Sequence, residues 1–266
     1  MTDTTRTDTT RTGDWGRRLS WAALALTVGG LAAALIAAAG SGAGAWSFRI
    51  GFSILRYAFY AAMAGGVLAI VAYVVSRRSG ARTGWLNLAA LVIAVAFGAY
   101  LMSHVSTARS VPAIHDATTD LVDLPAFRTL PVRADNLENI PDDGRPELAA
   151  LDPESRWKAI HREAYGDLRT LRLAASPAEA MQRAEALVRA RGWQIARVDR
   201  AAGTVEATAT TLFFRFKDDV VVRVRPDPAR PGGSIVDMRS ISQVGGSDVG
   251  VNAARIRAFL ADLQAT

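Results

Sequence analysis

The segment 112–120, PAIHDATTD, carries the side chains of this chain that best fit metal binding or acid–base chemistry. His115, Asp116 and Asp120 are ligand types for zinc or manganese, and a histidine beside a carboxylate can transfer protons. Three such ligands within six residues of an extended segment rarely close a metal site, and the other histidines are His104, at a membrane edge, and His161, in a predicted helix. The alternative is that they hydrogen-bond backbone groups and fix the segment to a folded domain. We expect this second role, with no metal and no cofactor.

A second set of polar side chains lies near the C-terminus, where carboxylates, arginines and hydroxyls alternate with apolar residues. Its members are Asp218, Asp219, Arg223, Asp237, Arg239, Ser240, Ser242, Asp248, Asn252 and Arg255. Opposite charges in such a set normally form salt bridges and helix caps. The alternative is a polar pocket for an anionic or amphiphilic ligand. In that pocket Arg239 and Arg255 would bind the anion, and the glycine-rich loop 245–247 would offer backbone amides at a helix N-terminus.

Signatures of known catalytic folds are missing from the sequence. It contains no G-x-S-x-G nucleophile elbow, no P-loop and no G-x-G-x-x-G dinucleotide fingerprint. It also has no cysteine, which excludes disulfide bonds and thiol chemistry. A non-enzymatic binding protein is therefore the leading hypothesis, and we assign no catalytic residue. An enzyme that uses the Asp and Arg residues of the second set is the alternative.

Three long apolar segments precede these polar residues. Residues 19–39, 57–76 and 84–103 contain no Asp, Glu, Lys or Arg. A helix of about 20 residues, rising 1.5 Å per residue, crosses the roughly 30 Å hydrocarbon core of a bilayer. The sequence therefore predicts three transmembrane helices, preceded by a polar, disordered tail over residues 1–18.

The net charge of +6 originates in the membrane region. Residues 1–110 hold ten Arg and three Asp, whereas residues 111–266 hold 21 Arg and Lys against 22 Asp and Glu. Domains that bind phosphate backbones usually carry a basic surplus. The composition therefore argues against nucleic acid as a partner and leaves the lipid bilayer as the predicted one.

The distribution of arginine predicts the orientation in the membrane. Seven arginines lie before the first span or between the second and third, and three lie in the first loop or just after the third span. Positively charged loops remain in the cytoplasm. The N-terminus is therefore predicted to be cytoplasmic and residues from about 104 onward to be outside. For a bacterium, this means a multi-pass protein of the inner membrane with a periplasmic C-terminal domain.

For the rest of the chain, the sequence predicts a linker followed by a small α+β domain. Six of the ten prolines lie within residues 111–155, which predicts an extended linker over 104–152. The domain, 153–266, is predicted to hold an antiparallel sheet of about four strands with helices packed on one face. Asp152 and the capping box formed by Ser176 and Glu179 mark two helix starts. The strands are predicted at 193–199, 203–211, 213–225 and 234–242, and a last helix is predicted to start at Ser247 or Asp248.

The motifs PAIHDATTDLVDLPAF, FKDDVVVRVRP and DMRSISQVGGSDVGVNAARIRAFL resemble the DUF1499 family, a family of unknown function. The resemblance covers roughly residues 110–264. It implies a fold and a residue pattern, and it implies no reaction. One departure lies at 165–168, where relatives tend to have a proline after the tyrosine, and a looser turn is expected there. The pattern falls on His115, Asp116, Thr119, Asp120, Phe216, Asp218, Asp219, Arg223, Asp237, Arg239, Ser240, Ser242, Gly245, Asp248, Gly250, Asn252, Arg255 and Ile256.

A reporter fused after Thr266 tests the predicted orientation. We expect an alkaline-phosphatase fusion to be active, because this enzyme folds only outside the cytoplasm, and a fluorescent-protein fusion that requires the cytoplasm to stay dark. A silent phosphatase together with a fluorescent fusion would reverse the assignment.

Overall fold

The computed structural model describes residues 6–265, with side chains over 14–265. The described chain forms two compact units. One contains the residues up to Ser106 together with Phe213–Arg215, and the other contains Thr107–Leu212 and the residues from Phe216 onward.

The first unit is built from three long helices, which confirms the three predicted apolar helices. They are α1 (Arg6–Gly42), α2 (Phe48–Ser79) and α3 (Gly84–Ser110). The stretches Asp14–Gly42, Phe48–Ser79 and Gly84–Ser110 are long and apolar enough to cross a membrane. All three helices extend beyond the predicted spans, because a helix, once nucleated, gains one hydrogen bond for each residue that it adds.

The N-terminal tail differs from the sequence-based expectation. Residues 6–18, which we predicted to be disordered, form the start of α1, while residues 1–5 lie outside the described part of the chain. Their position directly before an apolar helix explains the difference, since the existing helix lowers the cost of adding polar residues.

Small and hydroxylated residues hold α1 against α2. A Cβ atom added to Gly30 would lie 2.7 Å from the carbonyl oxygen of Ala58, so the two backbones approach closely there. Closer to the N-terminus of α1 and the C-terminus of α2, the hydroxyls of Ser20, Ser76 and Thr83 form a buried hydrogen-bonded group, with O···O distances of 2.8–3.2 Å.

The second unit is an α+β domain, as predicted. Its antiparallel sheet has six strands in the order β1-β6-β5-β4-β3, with β2 also paired to β6. The elements are β1 (Asp116–Thr118), α4 (Pro146–Ala149), α5 (Pro153–Ala164), β2 (Leu171–Leu173), α6 (Pro177–Ala190), β3 (Gln194–Asp199), β4 (Thr204–Thr210), β5 (Lys217–Pro226), β6 (Ser234–Ser242) and α7 (Val251–Ala265).

The four predicted strands correspond to β3–β6, and two more strands complete the sheet. Strands β1 and β2 have three residues each, too few for an alternating pattern to be recognised in the sequence. Residues 213–216, predicted as the start of a strand, instead form the turn that joins β4 to β5.

One face of the sheet carries the apolar core. Val220, Val222 and Val224 project from β5 on this face and pack with Met238 of β6 and with the apolar sides of α6 and α7. The helix starts follow the sequence. Asp152 accepts a hydrogen bond from the backbone of Ser155, and the predicted capping box of α6 is complete.

The opposite face of the sheet is covered by residues 119–136, which we call the strap. The sequence predicted an extended linker over 104–152, and the structure differs from this. Residues 104–110 continue α3, 116–118 form β1, and the strap is held on the sheet by hydrogen bonds and ion pairs. The physical reason is that a proline-rich segment cannot pair its own backbone groups, so they take partners elsewhere.

Glu206 is the principal partner of the strap backbone. This fully buried carboxylate accepts hydrogen bonds from the backbone N–H groups of Arg128, Thr129 and Leu130 at 2.8–3.2 Å. Sequence reasoning did not single it out, because a lone glutamate on a strand normally faces solvent.

Glu206→Gln is expected to loosen the strap. The amide keeps one acceptor oxygen and places an NH2 group against backbone N–H donors, and each hydrogen bond to a charged group contributes about 1.5–3 kcal/mol. Trypsin cleavage after Arg128 should become at least about tenfold faster, because 1.4 kcal/mol of local opening corresponds to a factor of ten. The control is Glu163→Gln, which alters an exposed ion pair with Arg145. Equal cleavage rates in the two variants would contradict the assigned role of Glu206.

Candidate functional site

The predicted site residues fall into two clusters on opposite faces of the sheet. Strand alternation decides this, since neighbouring residues such as Asp218 and Asp219 point to opposite sides. The register aligns Arg223 with Asp237 on the strap face, and Asp218 with Ser242 on the helix face. The second set of the sequence analysis is therefore divided and does not form one pocket.

The strap-face cluster is centred on Asp237. Its side chain is fully buried, and its Oδ1 accepts hydrogen bonds from the hydroxyls of Thr119 (3.1 Å) and Thr170 (2.6 Å). Its Oδ2 accepts from the guanidinium groups of Arg223 (3.2 Å) and Arg225 (2.8 Å). Every oxygen of this buried carboxylate therefore has partners, which is what makes its burial tolerable.

The same two arginines bind the strap. Arg223 and Arg225 contact the carboxylate of Asp123 at 3.1 and 2.7 Å, and both lie within 3.6 Å of Asp120. The other oxygen of Asp120 accepts the backbone N–H groups of Val122 and Asp123, both at 2.9 Å. Asp120 therefore closes a turn of the strap and helps to fix that turn to the sheet.

Asp116 and Arg239 form a buried ion pair at the β1–β6 junction. The guanidinium donates two hydrogen bonds to the carboxylate, at 3.1 and 2.7 Å. Asn136 of the strap donates a third at 2.7 Å, and the Arg239 Cζ lies 5.9 Å from the centre of the Trp157 ring. The positive charge of Arg239 is therefore balanced within the domain by the Asp116 carboxylate and the face of the Trp157 ring.

The helix-face cluster joins β5 and β6 to α7. Arg255 lies 2.5 Å from Asp218 and also donates to Ser240 at 2.9 Å. Asn252 accepts from Ser240 at 2.7 Å and donates to Ser242 at 3.0 Å. Arg239 and Arg255 lie on opposite faces, so this geometry does not bring them together as a pair of anion-binding groups.

Asp248 holds the turn before α7. It accepts the backbone N–H groups of Gly250 (2.8 Å) and Asn252 (2.7 Å), so it has the capping role that we predicted for Ser247 or Asp248. The helix itself begins three residues later, at Val251. Burial raises the pKa of this carboxyl group above its usual value.

His115 is buried beside the α7 turn. Its Nδ1 lies 3.4 Å from the carbonyl oxygen of Gly246, and its own carbonyl accepts from Asn252 at 2.9 Å. Asp116 is engaged by Arg239, and Asp120 by Arg223 and the strap backbone. Within the described residues, no group of three or more His, Cys, Asp and Glu side chains is arranged to hold a metal ion.

His161 anchors β1 through its ring. Its Nε2 accepts the backbone N–H of Thr118 at 3.1 Å, which requires that this nitrogen carry no proton. Burial lowers the pKa of His161 to about 4, so the ring is neutral at physiological pH. The sequence placed this histidine in a helix and gave no signal of its partner, which lies 43 residues away.

A cavity of about 290 Å³ lies between the strap and the ends of β5 and β6. Its apolar lining comes from Phe127, Pro131, Val132 and Ile241, and its polar lining from Arg133, Asp219, Ser242 and Gln243. The sequence pointed only to Asp219 and Ser242 among these residues. The four strap residues were missed because the strap was taken as a linker, and Ile241 and Gln243, in and directly after β6, carry no local signal of a cavity.

Asp219 is the unusual carboxylate of this cavity. It is buried, and its Oδ1 accepts from Thr208 (2.7 Å) and Gln243 (2.9 Å). Among the residues that the structure describes, no arginine or lysine lies within ion-pair distance of it, whereas Asp116, Asp218 and Asp237 each have an arginine partner. Arg133 donates to Asp135, whose pKa these hydrogen bonds lower to about 2, and to Gly245.

Arg239→Gln is expected to lower the stability of the domain strongly. The substitution leaves Asp116 buried without its cation, which costs about 3–5 kcal/mol. A domain of this size is stable by about 5–15 kcal/mol, so the melting temperature should fall markedly. Arg255→Gln should behave in the same way, because Asp218 loses its partner.

The matched control is Arg257→Gln. Arg257 pairs with Asp167 at 2.5 Å, but the two side chains are 42% and 56% exposed, so the loss should be below about 1 kcal/mol. Thermal unfolding of the full chain compares the variants. An unchanged melting temperature for Arg239→Gln or Arg255→Gln, combined with loss of complementation in a deletion strain, would show that the arginine serves ligand binding.

The family comparison agrees with this domain. No curated protein matches the sequence significantly. A family model described as a protein of unknown function (DUF1499) matches residues 118–263, more than half of the chain and nearly all of the sheet domain. This chain is therefore a member of the DUF1499 family, with three helices before the family domain that are long and apolar enough to span a membrane.

Proposed function

We propose that this protein is a non-enzymatic, membrane-anchored protein of the bacterial cell envelope. Its sheet domain lies outside the cytoplasm and binds a small amphiphilic ligand in the cavity under the strap. The observation that carries this proposal is the combination in one cavity of an apolar lining and the buried Asp219, which no basic residue neutralises among those described.

The cavity favours an amphiphile that carries a hydrogen-bond donor or a positive group. Phe127, Val132 and Ile241 offer an apolar surface for a hydrocarbon portion, and Asp219 offers an acceptor. A buried carboxylate is stabilised by a donor or a cation and is destabilised by a second anion. The anionic ligand considered from the sequence is therefore less well matched to this cavity than an amphiphile with a donor group.

The pairing of the arginines supports a binding role over a catalytic one. Asp116 and Asp237 are each held by arginine and by further donors, and Asp218 is held by Arg255. A carboxylate that is already engaged by fixed donors in this way is poorly placed to accept a proton from a substrate. Among the residues that line this cavity, the enzyme alternative would use Asp219, and the lining contains no histidine with which it could share a proton.

Two substitutions test the cavity in the full chain. Asp219→Asn keeps an acceptor oxygen for Thr208 and Gln243 while removing the charge, and Val132→Trp fills the space. The protein is extracted from native membranes in polymer-bounded discs, and its small molecules are identified by mass spectrometry. Loss of one hydrogen bond to a charged group, about 1.5–3 kcal/mol, should lower the amount of the bound amphiphile about tenfold or more.

Val122→Trp is the matched control, since Val122 is also a strap valine but is 95% exposed and lies outside the cavity lining. It should retain the ligand. Identical small-molecule profiles in the wild type and in all three variants, with unchanged melting temperatures, would rule out this cavity as the binding site.

A further inference from the structure

The turn between β4 and β5 exposes large apolar side chains. It comprises residues 211–216, with the sequence TLFFRF, and we call it the apolar tip. Leu212 is 81% exposed and Phe213 is 48% exposed. Such a pair at the end of a hairpin is costly in water, since exposed hairpin turns usually carry glycine, asparagine or aspartate.

The backbone of the apolar tip strengthens this observation. Phe214 and Arg215 have φ angles of +58° and +54°, in the left-handed region that bulky residues rarely adopt. Glycine or asparagine would fit both positions with less strain and would be better hydrated. The turn therefore holds aromatic and basic side chains that turn geometry does not favour. Phe214 and Arg215 lie next to Gly51 and Gly42 of the helices, whereas Leu212 and Phe213 are exposed at the end of the turn.

Contacts within the first unit show which end of the helices lies beside Phe213 and Phe214. Phe213–Arg215 belong to this unit. The Phe214 ring lies 4.8 Å from the ring of Phe52, in the second turn of α2, and the Phe213 ring lies 6.3 Å from that of Tyr100 in α3. The start of α2 and the C-terminal part of α3 lie on the same side of a three-span arrangement, where aromatic residues mark the boundary between headgroups and acyl chains.

The basic residues in and next to the tip also favour a position at the boundary between lipid headgroups and acyl chains. Arg215 and Lys217 follow the apolar residues directly, and no acidic residue lies within 211–217. Long basic side chains can extend to lipid phosphates while neighbouring apolar residues enter the acyl region. Anionic lipid surfaces also attract such basic pairs.

We propose that the apolar tip inserts Leu212 and Phe213 into the headgroup–acyl boundary of the leaflet that faces the sheet domain. The partner is the lipid bilayer itself. Together with the three helices, the tip would give the protein a second attachment to the same membrane. This inference does not depend on the cavity ligand, because it uses different residues and a different partner.

The absence of cysteine from the sequence allows a direct test, since Leu212→Cys creates the single thiol of the full chain. The variant is labelled with an environment-sensitive fluorophore and reconstituted into vesicles of phosphatidylethanolamine and phosphatidylglycerol. Two quenchers are compared. One is a phospholipid with a nitroxide near the top of its acyl chain, and the other is aqueous iodide.

Val122→Cys provides the reference for a solvent-exposed apolar position in the same domain. We expect the label at position 212 to be quenched severalfold more by the nitroxide lipid, and severalfold less by iodide, than the label at position 122. Adding Phe213→Ser to Leu212→Cys should shift the label towards iodide, because the tip loses half of its apolar anchor.

Two results would overturn the proposal. One is iodide quenching at position 212 equal to that at position 122, which would place the tip in water. The other is protection from both quenchers, which would mean that protein and not lipid covers Leu212. Unchanged melting temperatures for both cysteine variants ensure that the comparison concerns folded protein.

Discussion

The burial of carboxylates between the sheet and the strap is the constraint on which this domain depends. Glu206, Asp237 and Asp116 are each almost fully buried, and an unpaired carboxylate in such a position would be strongly destabilising. Each therefore requires donors from the strap or from arginines that also bind the strap. A segment rich in proline, with little regular structure of its own, becomes an ordered layer because the sheet beneath it needs its N–H groups and its charges.

The need to neutralise buried carboxylates also distinguishes the polar residues that stabilise the fold from the one that is available to a ligand. Where an arginine is present, the carboxylate and the arginine satisfy one another, as with Asp218 and Arg255 or Asp237 and Arg225. Asp219 departs from this pattern, and it lies where strap and sheet leave an apolar space between them. The cavity is thus a consequence of the strap, since an uncovered sheet face would be a flat surface exposed to water.

The proposed membrane attachment would give the domain a defined environment. The three helices are long and apolar enough to span a membrane and would keep the domain next to a bilayer, into which an amphiphile partitions at a concentration far above its concentration in water. A cavity with a modest intrinsic affinity could then be occupied. The apolar tip fits the same setting. Exposed apolar side chains would favour aggregation of a freely soluble protein, whereas beside a membrane they can pack against lipid.

The sequence by itself determined the elements whose signals are local. Apolar length predicted α1–α3, alternation predicted β3–β6, and caps at Asp152 and Ser176 fixed the starts of α5 and α6, because each signal lies within a few residues. Only the tertiary structure decided the strap, the three-residue strands β1 and β2, and the partners of Glu206, Arg239 and Arg255. These depend on strand register and on contacts between residues far apart in the sequence, from 37 residues for Asp218 with Arg255 to 123 residues for Asp116 with Arg239. A one-residue change of register would move every such side chain to the other face.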